Sequence, residues 1–283
     1  MKKLRKGNLL EEPPIIKNPL YNKRIVNLDI ETSPNEGTYF ELYREGNIVW
    51  NIKHWFIMSI AWKYLGEDKV YVKALCDFPE WQRSFCSKCK RIEDVEIVEK
   101  RLMKVIWGIL DKADVVVGHN SDQFDLKKIN AKLIKYGFEP PSAYKQVDTK
   151  KVHKKLTNTD SNKLNDIADF YKIGRKVETS KDLHRKCLQG DKKAWEEMKI
   201  YNKGDVVLDE KLYMKERGWD TSQQVNMNLI LNTMSCCPRC GGEQIIKAGF
   251  KYTATCVYQT YRCLNCGHRP QGEKIQRARP ELK

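Results

Sequence analysis

No apolar run in this sequence approaches the roughly 18–20 residues that a membrane-spanning helix needs. The richest stretch, Trp55 to Trp62, is short and is interrupted by Ser59. A secretory signal core is missing as well. The start Met1-Lys2-Lys3-Leu4-Arg5-Lys6 is basic, but Gly7 through Pro14 supply no hydrophobic segment. Negative charge is scarce: Lys and Arg number 52 against 37 Asp and Glu, a formal net charge of +15. The pI is near 9.2 and the mean hydropathy is −0.65. No internal repeat is present. These shortages exclude a membrane partner and export, and they predict a soluble, cytoplasmic protein. A surplus of positive charge this large asks for a polyanionic partner, nucleic acid first.

What the chain does have is room and thiols. Its 283 residues, 41% of them hydrophobic, suffice for one large domain or for a medium domain with a small appendage. Its ten cysteines, without an export signal, read as metal ligands in a reducing compartment rather than as a disulfide scaffold.

Patterning divides the chain. Residues 1–23 read as a basic leader in which Glu11-Glu12-Pro13-Pro14 discourages regular structure. The apolar-rich run 25–31 predicts a strand ended by Thr32-Ser33-Pro34-Asn35, and two more strands fit 55–64 and 70–75. Val95, Val98, Leu102, Val105, Ile106 and Ile109 share one face of a helix over 93–113. Val115-Val116-Val117 closed by Gly118 predicts a buried strand. Helices follow over 124–137, stopped by Gly137, over 161–171 with Ser161 as N-cap, and over 191–216. Strands first, then helices alternating with a strand, place the chain in the α/β class. The main domain covers 24–217 and a linker covers 218–235. A Cys-rich module covers 236–270, and 271–283 is a polar, basic tail whose composition predicts disorder.

Three polar constellations carry chemistry. Asp29 and Glu31 stand at i and i+2 on the first strand, so both point to one face. Two carboxylates side by side on an apolar strand are costly to bury. A divalent cation offsets that cost, since hard cations take oxygen ligands; a strand end where both acids reach water would serve as well. In Asn120-Ser121-Asp122-Gln123-Phe124-Asp125, Asp125 opens a helix. There the helix dipole alone favours a carboxylate, with Asp122 as the cap. Tyr201 and Asp205, at i and i+4, share one face of the last helix. Gly204 between them costs a helix about 1 kcal/mol relative to Ala, which close approach of another backbone or a ligand would explain. An amphipathic helix with an ordinary tyrosine is the alternative.

Taken together, Leu28-Asp29-Ile30-Glu31-Thr32, Gly118-His119-Asn120 through Asp125, and Tyr201 through Asp205 resemble the DnaQ-like 3′–5′ exonucleases. The match is to the DEDD group in its tyrosine variant, on a ribonuclease H-like fold. Ser161-Asn162-Lys163-Leu164 through Ile173-Gly174, with Tyr201 through Tyr213, is similar to a phage-type exonuclease branch. The resemblance spans about residues 24–217. It implies a mixed sheet flanked by helices, in a protein of the bacterial host's cytoplasm if phage-encoded. It further implies hydrolysis of phosphodiester bonds from single-stranded 3′ ends, DNA before RNA. Two Mg²⁺ or Mn²⁺ ions, about 3.5–4 Å apart, would flank the scissile phosphate. Asp29 would bridge both, Glu31 and Asp205 would complete the site that activates water, and Asp125 would hold the second ion. Tyr201 would orient the attacking water, because a tyrosine pKa near 10 makes a poor general base at neutral pH. Asn120, Thr32 and Phe124 are the candidate substrate-binding residues. His119 reads as a strand-end residue, since the histidine variant of the group carries its histidine where Tyr201 stands. A non-catalytic nucleic-acid adaptor on the same fold is the alternative function. Nothing in the chain resembles a polymerase domain, so a polymerase or replication partner would act in trans.

Cys237-Pro238-Arg239-Cys240-Gly241 and Cys263-Leu264-Asn265-Cys266-Gly267 form two Cys-x2-Cys knuckles with twenty-two residues between them. Four thiolates at this spacing suit one tetrahedral structural Zn²⁺. Gly241 and Gly267 permit the tight turns that aim backbone donors at the sulfurs. Phe250, Tyr252, Val257, Tyr258 and Tyr261 predict a small β-ribbon between the knuckles. The module looks like the zinc ribbon that follows this nuclease branch in some phage-type proteins. Lys247, Lys251, Arg262, Arg269, Arg277 and Arg279 place charge beside aromatics, which suits a nucleic-acid backbone with base stacking. A ribbon that caps the nuclease or contacts a protein is the alternative. Cys236, Cys256 and His268 are spare. Cys86 and Cys89, with Cys76 and Cys187 as partners, form a half-site more simply read as a loop with reduced thiols.

Overall fold

A computed structural model describes residues 25–38, 50–83, 92–220, 225–231 and 235–277. The basic leader, the Cys86/Cys89 pair and Arg279 lie outside the described residues. The chain divides into two compact units, Asn22–Glu216 and a smaller one that takes in Arg217–Lys283.

In the larger unit the elements run β1 (Ile25–Thr32), β2 (Glu36–Thr38), β3 (Trp50–Lys53), β4 (Ile57–Tyr64), β5 (Tyr71–Ala74), α1 (Pro79–Arg83), α2 (Ile92–Asp111) and β6 (Val115–Gly118). They continue with α3 (Asp125–Lys135), β7 (Lys145–Asp148), α4 (Thr149–Leu156), α5 (Leu164–Tyr171), α6 (Leu183–Leu188) and α7 (Lys192–Glu216). Five strands form one sheet in the order β5-β4-β1-β6-β7, and β2 and β3 make a separate pair. Strand β4 runs antiparallel to both β1 and β5, whereas β6 runs parallel to β1 and β7. The result is the expected α/β architecture: a mixed sheet with helices packed against it.

The alternation of β1 explains its central place. Val26, Leu28 and Ile30 join Val98, Leu102 and Ile106 of α2 and Leu126 and Ile129 of α3 in one apolar core. Asn27 and Asp29 instead meet α7. Asn27 Nδ2 donates to Asp209 at 3.2 Å, and Asn202 Nδ2 donates to the Asp29 carboxylate at 2.6 Å. The strand therefore turns Val26, Leu28 and Ile30 to an apolar side and Asn27 and Asp29 to a polar side, as a period of two requires, and α7 covers the polar side.

Three expectations change. Ser161 is not a helix cap. Helix α5 begins at Leu164 with Lys163 in the cap position, while the Ser161 hydroxyl accepts from Lys163 N at 3.2 Å and donates to Asp166 at 2.5 Å. The presumed linker contains α8 (Met227–Ile230), whose Met227 is buried and donates its N–H to Pro238 O at 2.8 Å. The presumed disordered tail supplies a strand. In the smaller unit β8 (Ile245–Tyr252), β9 (Cys256–Cys263) and β10 (Gln271–Arg277) form an antiparallel sheet in the order β10-β9-β8. Polar composition did not prevent β10 from forming, because its backbone groups pair with β9. Among the described residues, no helix is long and apolar enough to cross a membrane.

Candidate functional site

The pleat of β1 and the turn of α7 bring the acids together. Carboxylate oxygens of Asp29, Glu31 and Asp205 all lie within 4.8 Å of one another. Asp125 arrives from the first turn of α3, is 3% exposed, and accepts the Ile30 N–H at 3.1 Å. It is thus tied to β1 at the residue between the paired acids. The capping alternative does not hold for this motif. Phe124 occupies the cap position of α3 with no side-chain cap, and the Asp122 carboxylate pairs with Lys151.

Crowding raises the affinity of these acids for protons. Burial, then the charges of Asp125, Glu31 and Asp205, pushes Asp29 well above the usual carboxylate range. Burial lifts Asp125 to about 7 against the pull of the Ile30 hydrogen bond. Burial also raises Asp205, with Lys176 opposing it. Asp205 Oδ1 is buried without a hydrogen-bond donor among the described residues. Clustered carboxylates, penalised as anions and with one acceptor left over, are what a hard divalent cation relieves. The donor set fits Mg²⁺ or Mn²⁺.

Several residues at the centre were not singled out by sequence. Asn202 is fully buried on α7. Its Nδ2 holds both the carboxylate and the carbonyl of Asp29, at 2.6 and 3.2 Å, while its Oδ1 accepts from Ser59 Oγ at 3.0 Å. Lys176 Nζ lies 2.6 Å from Asp205 Oδ2 and 3.4 Å from the Tyr201 hydroxyl. Burial disfavours the Lys176 charge, but Asp205 outweighs it and the pKa rises. Gly204 explains how this lysine gets in: a Cβ there would meet Val177 Cγ2 at 2.9 Å. The close approach that Gly204 permits is therefore by a side chain, not a backbone or ligand. His184 Nε2 stands 3.2 Å from Glu31 Oε2. The one signal that pointed toward the Lys176–Val177 segment was the unfavourable Gly204 in a helix; no sequence signal marked Asn202 or His184.

Tyr201 is lifted to about 12 by burial and by Asp205. It stays a neutral phenol at physiological pH, suited to orienting a partner rather than taking its proton. Thr32 Oγ1 accepts from Lys128 Nζ at 3.4 Å. That same ammonium sits 4.0 Å from the Trp55 ring centre and 4.8 Å from the Phe124 ring centre. Thr32 and Phe124 thus border one cationic, aromatic patch, and Phe124 is 40% exposed. Asn120 takes a left-handed backbone, φ 63°, and its N–H donates to Asp148 Oδ1 at 3.0 Å. Asp148 also receives Asp122 N at 3.4 Å and Lys151 N at 3.2 Å, so this buried acid shapes the loop that leads to Asp125. His119 lies between Thr149 Oγ1 and Asn162 O, both at 3.0 Å, and burial lowers it to about 4. It is a strand-end residue, neutral near pH 7.

In the smaller unit the four knuckle cysteines converge within 4.8 Å, with Sγ separations of 3.7 Å for Cys237–Cys266 and 3.6 Å for Cys240–Cys263. Tetrahedral zinc with Zn–S near 2.3 Å sets sulfurs about 3.8 Å apart, and all four thiols are free. Gly242 N and Asn265 Nδ2 each donate to Cys240 Sγ at 3.3 Å. Gly241 and Gly267 have φ of 71° and 74°, the conformation such knuckles require. The spares lie elsewhere: Cys236 Sγ faces Asn228 at 3.1 Å, and His268 Nδ1 faces Gly218 O at 3.1 Å. The cluster is compatible with Zn²⁺.

A five-stranded mixed sheet with acids on its central strand and on the helix that covers it defines a ribonuclease H-like domain. The chain belongs to the RNase H superfamily, whose family model matches residues 64–216, more than half of its length. That span contains Asp125, Tyr201 and Asp205, whereas Asp29 and Glu31 on β1 precede it. No curated protein matches the chain. Fold and membership support nucleic-acid hydrolysis as the class of activity.

Proposed function

We propose that the chain is a metal-dependent 3′–5′ exonuclease of the DnaQ-like, tyrosine-variant DEDD type, acting on single-stranded ends of DNA first. One observation carries this: an oxygen of Asp205, far along the chain, lies within 4.8 Å of oxygens of the strand pair Asp29 and Glu31, which lie as close to each other. With Asp125 they would hold two Mg²⁺ or Mn²⁺ ions. Such ions, when bound, stabilise charge on the phosphoryl oxygens and lower the pKa of water.

The chain's own residues then have distinct tasks. Asn202, backed by Ser59, fixes the Asp29 carboxylate. Tyr201 orients the attacking water through its hydroxyl. Lys128, Trp55 and Phe124, with Thr32 beside them, offer charge and ring faces to a terminal nucleotide, and Asn120 would add a hydrogen bond to substrate. Asp148 is a positioning residue for the Asn120–Asp125 loop. Zn²⁺ held by Cys237, Cys240, Cys263 and Cys266 would fold the ribbon, which aids binding of the nucleic acid. The test is digestion of 3′-labelled single-stranded DNA and RNA with Mg²⁺ or Mn²⁺. Release of nucleoside monophosphates by the wild type but not by Asp29→Ala is expected. Equal inertness of both proteins on both substrates would sink the proposal.

A further inference from the structure

The sheet of the smaller unit has two faces of different chemistry. Alternation along β9 puts Cys256, Tyr258, Thr260 and Arg262 on one face, and Val257, Gln259 and Tyr261 on the other. Residues paired across strands share a face. Tyr258 pairs with Lys251 of β8 on one side and with Lys274 of β10 on the other. Cys256 pairs with Arg277, Thr260 with Gln271, and Arg262 with Ile246. The first face therefore carries four cations around one tyrosine, and none of its paired positions holds a carboxylate. Lys251, Arg262, Lys274 and Arg277 are all exposed, and Tyr258 is half-buried between two of them. The opposite face pairs Phe250 with Gln259, Tyr252 with Val257, and Lys247 with Tyr261. It is aromatic, with one cation.

Cys256 senses the charge on the first face. A hydrogen bond with Thr255 lowers its thiol pKa, and the nearby charges of Lys274 and Arg277 lower it further. The two bulges in the β9–β10 register, between Gln271 and Lys274 and between Lys274 and Gln276, deliver Lys274 and Arg277 to the same face. Without those bulges, alternation would divide residues 274 and 277 between opposite faces.

We infer that the Lys251–Tyr258–Lys274 face is a tract for single-stranded nucleic acid, in which the four cations take phosphates and Tyr258 takes the face of one base. Charge complementarity selects a polyanion, and a ring at the centre of the cationic row selects one with unpaired bases to stack. A duplex offers phosphates but no free base face. An acidic peptide offers charge but no base. The inference rests on the proposed nuclease function for its substrate class, but it does not need the acidic centre to be active.

The test uses the full zinc-loaded chain without Mg²⁺ or Mn²⁺, so that turnover is off, and a fluorescent oligothymidylate followed by anisotropy through a salt titration. The double variant Lys251→Gln/Lys274→Gln should bind at least about tenfold more weakly. Its slope of log affinity against log salt should fall by about 1.4, at roughly 0.7 per lost single-strand phosphate contact. Tyr258→Ala should weaken binding roughly tenfold with no change in slope, and it should leave binding of a duplex within about twofold. Phe250→Ala/Tyr252→Ala, on the opposite face, should stay within about twofold of wild type. Melting curves establish that each variant is folded. The tract is overturned if the lysine pair binds like wild type, or if the loss follows Phe250 and Tyr252. Equal loss on the duplex for Tyr258→Ala overturns the single-strand assignment. If wild type fails to hydrolyse any substrate while binding still depends on this face, the exonuclease proposal fails and the tract stands.

Discussion

The acidic centre and the thiolate cluster are both sets of metal-type ligands, yet they are assembled in opposite ways. Asp29, Glu31, Asp125 and Asp205 come from β1, α3 and α7, elements already fixed by a large apolar core. Asn202, the Ile30 N–H and Lys176 hold three of them without any ion. In the smaller unit the cysteines themselves are the core: Cys237, Cys240 and Cys263 form its buried cluster, with Ile245 and Cys266 against them. A fold that precedes its ligands can exchange a metal and use it for chemistry. A fold made of its ligands needs the metal to exist at all.

The sharpest way to break this contrast is to remove zinc. Structural zinc in small modules is worth about 10–16 kcal/mol of binding free energy at pH 7. A strong thiol-competing chelator, or Cys240→Ser, should therefore unfold the Arg217–Lys283 unit while the larger unit keeps its melting transition. Limited proteolysis after chelation reads this directly. A smaller unit that stays protected would mean that its thiolates are not structural. Asp29→Asn should do the reverse. Nuclease turnover should fall by roughly 10³-fold or more, while the melting temperature of the larger unit without Mg²⁺ or Mn²⁺ should hold or rise, because a buried, repelled charge has gone. Unfolding of Asp29→Asn would place that acid in the fold instead of the chemistry.

The pH dependence separates the centre from its surroundings. Burial raises Asp125 and Asp209 to about 7 in the folded protein, against about 3.9 in an unfolded chain. Between about pH 4 and pH 7 the native state thus binds protons that the unfolded state has released, so stability falls as pH rises through that window. Saturating Mg²⁺ should remove the part due to Asp125. The Asp209 part should persist, since Asp209 is engaged by Thr149 and Asn27, and Asp209→Asn should flatten it. A metal-free melting temperature that climbs steadily from pH 4 to pH 7 would contradict both assignments.

Local periodicity made the Asp29–Glu31 and Tyr201–Asp205 pairs readable, because i,i+2 on a strand and i,i+4 on a helix are set within a few residues. Asp125 was ambiguous for a physical reason. A helix start favours a carboxylate whatever its tertiary role, and its actual donor, Ile30 N, lies 95 positions away. Lys176 and His184 look like ordinary solvated side chains until the chain folds them onto Asp205 and Glu31. Strand β7 escaped notice because Lys145–Asp148 offers a single β-branched residue, Val147. Strand β10 escaped because composition reports side chains, whereas a polar edge strand is held by backbone pairing. The knuckles were the easiest element to read, since four thiolate ligands in two short motifs need no distant partner.

Lys176 provides the smallest and most discriminating effect. In metal-free protein its ammonium supplies a positive charge against Asp205, so Lys176→Met should destabilise the larger unit. The pair is part-exposed on the lysine side, 31% against 4% for Asp205. The loss should therefore be only ~1 kcal/mol, roughly 2–4 °C in melting temperature. A divalent cation neutralises the same carboxylate, so saturating Mn²⁺ should erase the difference. For the same reason the variant should bind Mn²⁺ a few-fold more tightly by calorimetry, having no ammonium to displace or repel. If Lys176→Met instead weakens Mn²⁺ binding, the lysine organises the ligand set rather than opposing the ion, and the acidic centre is less fully preassembled than its hydrogen bonds indicate.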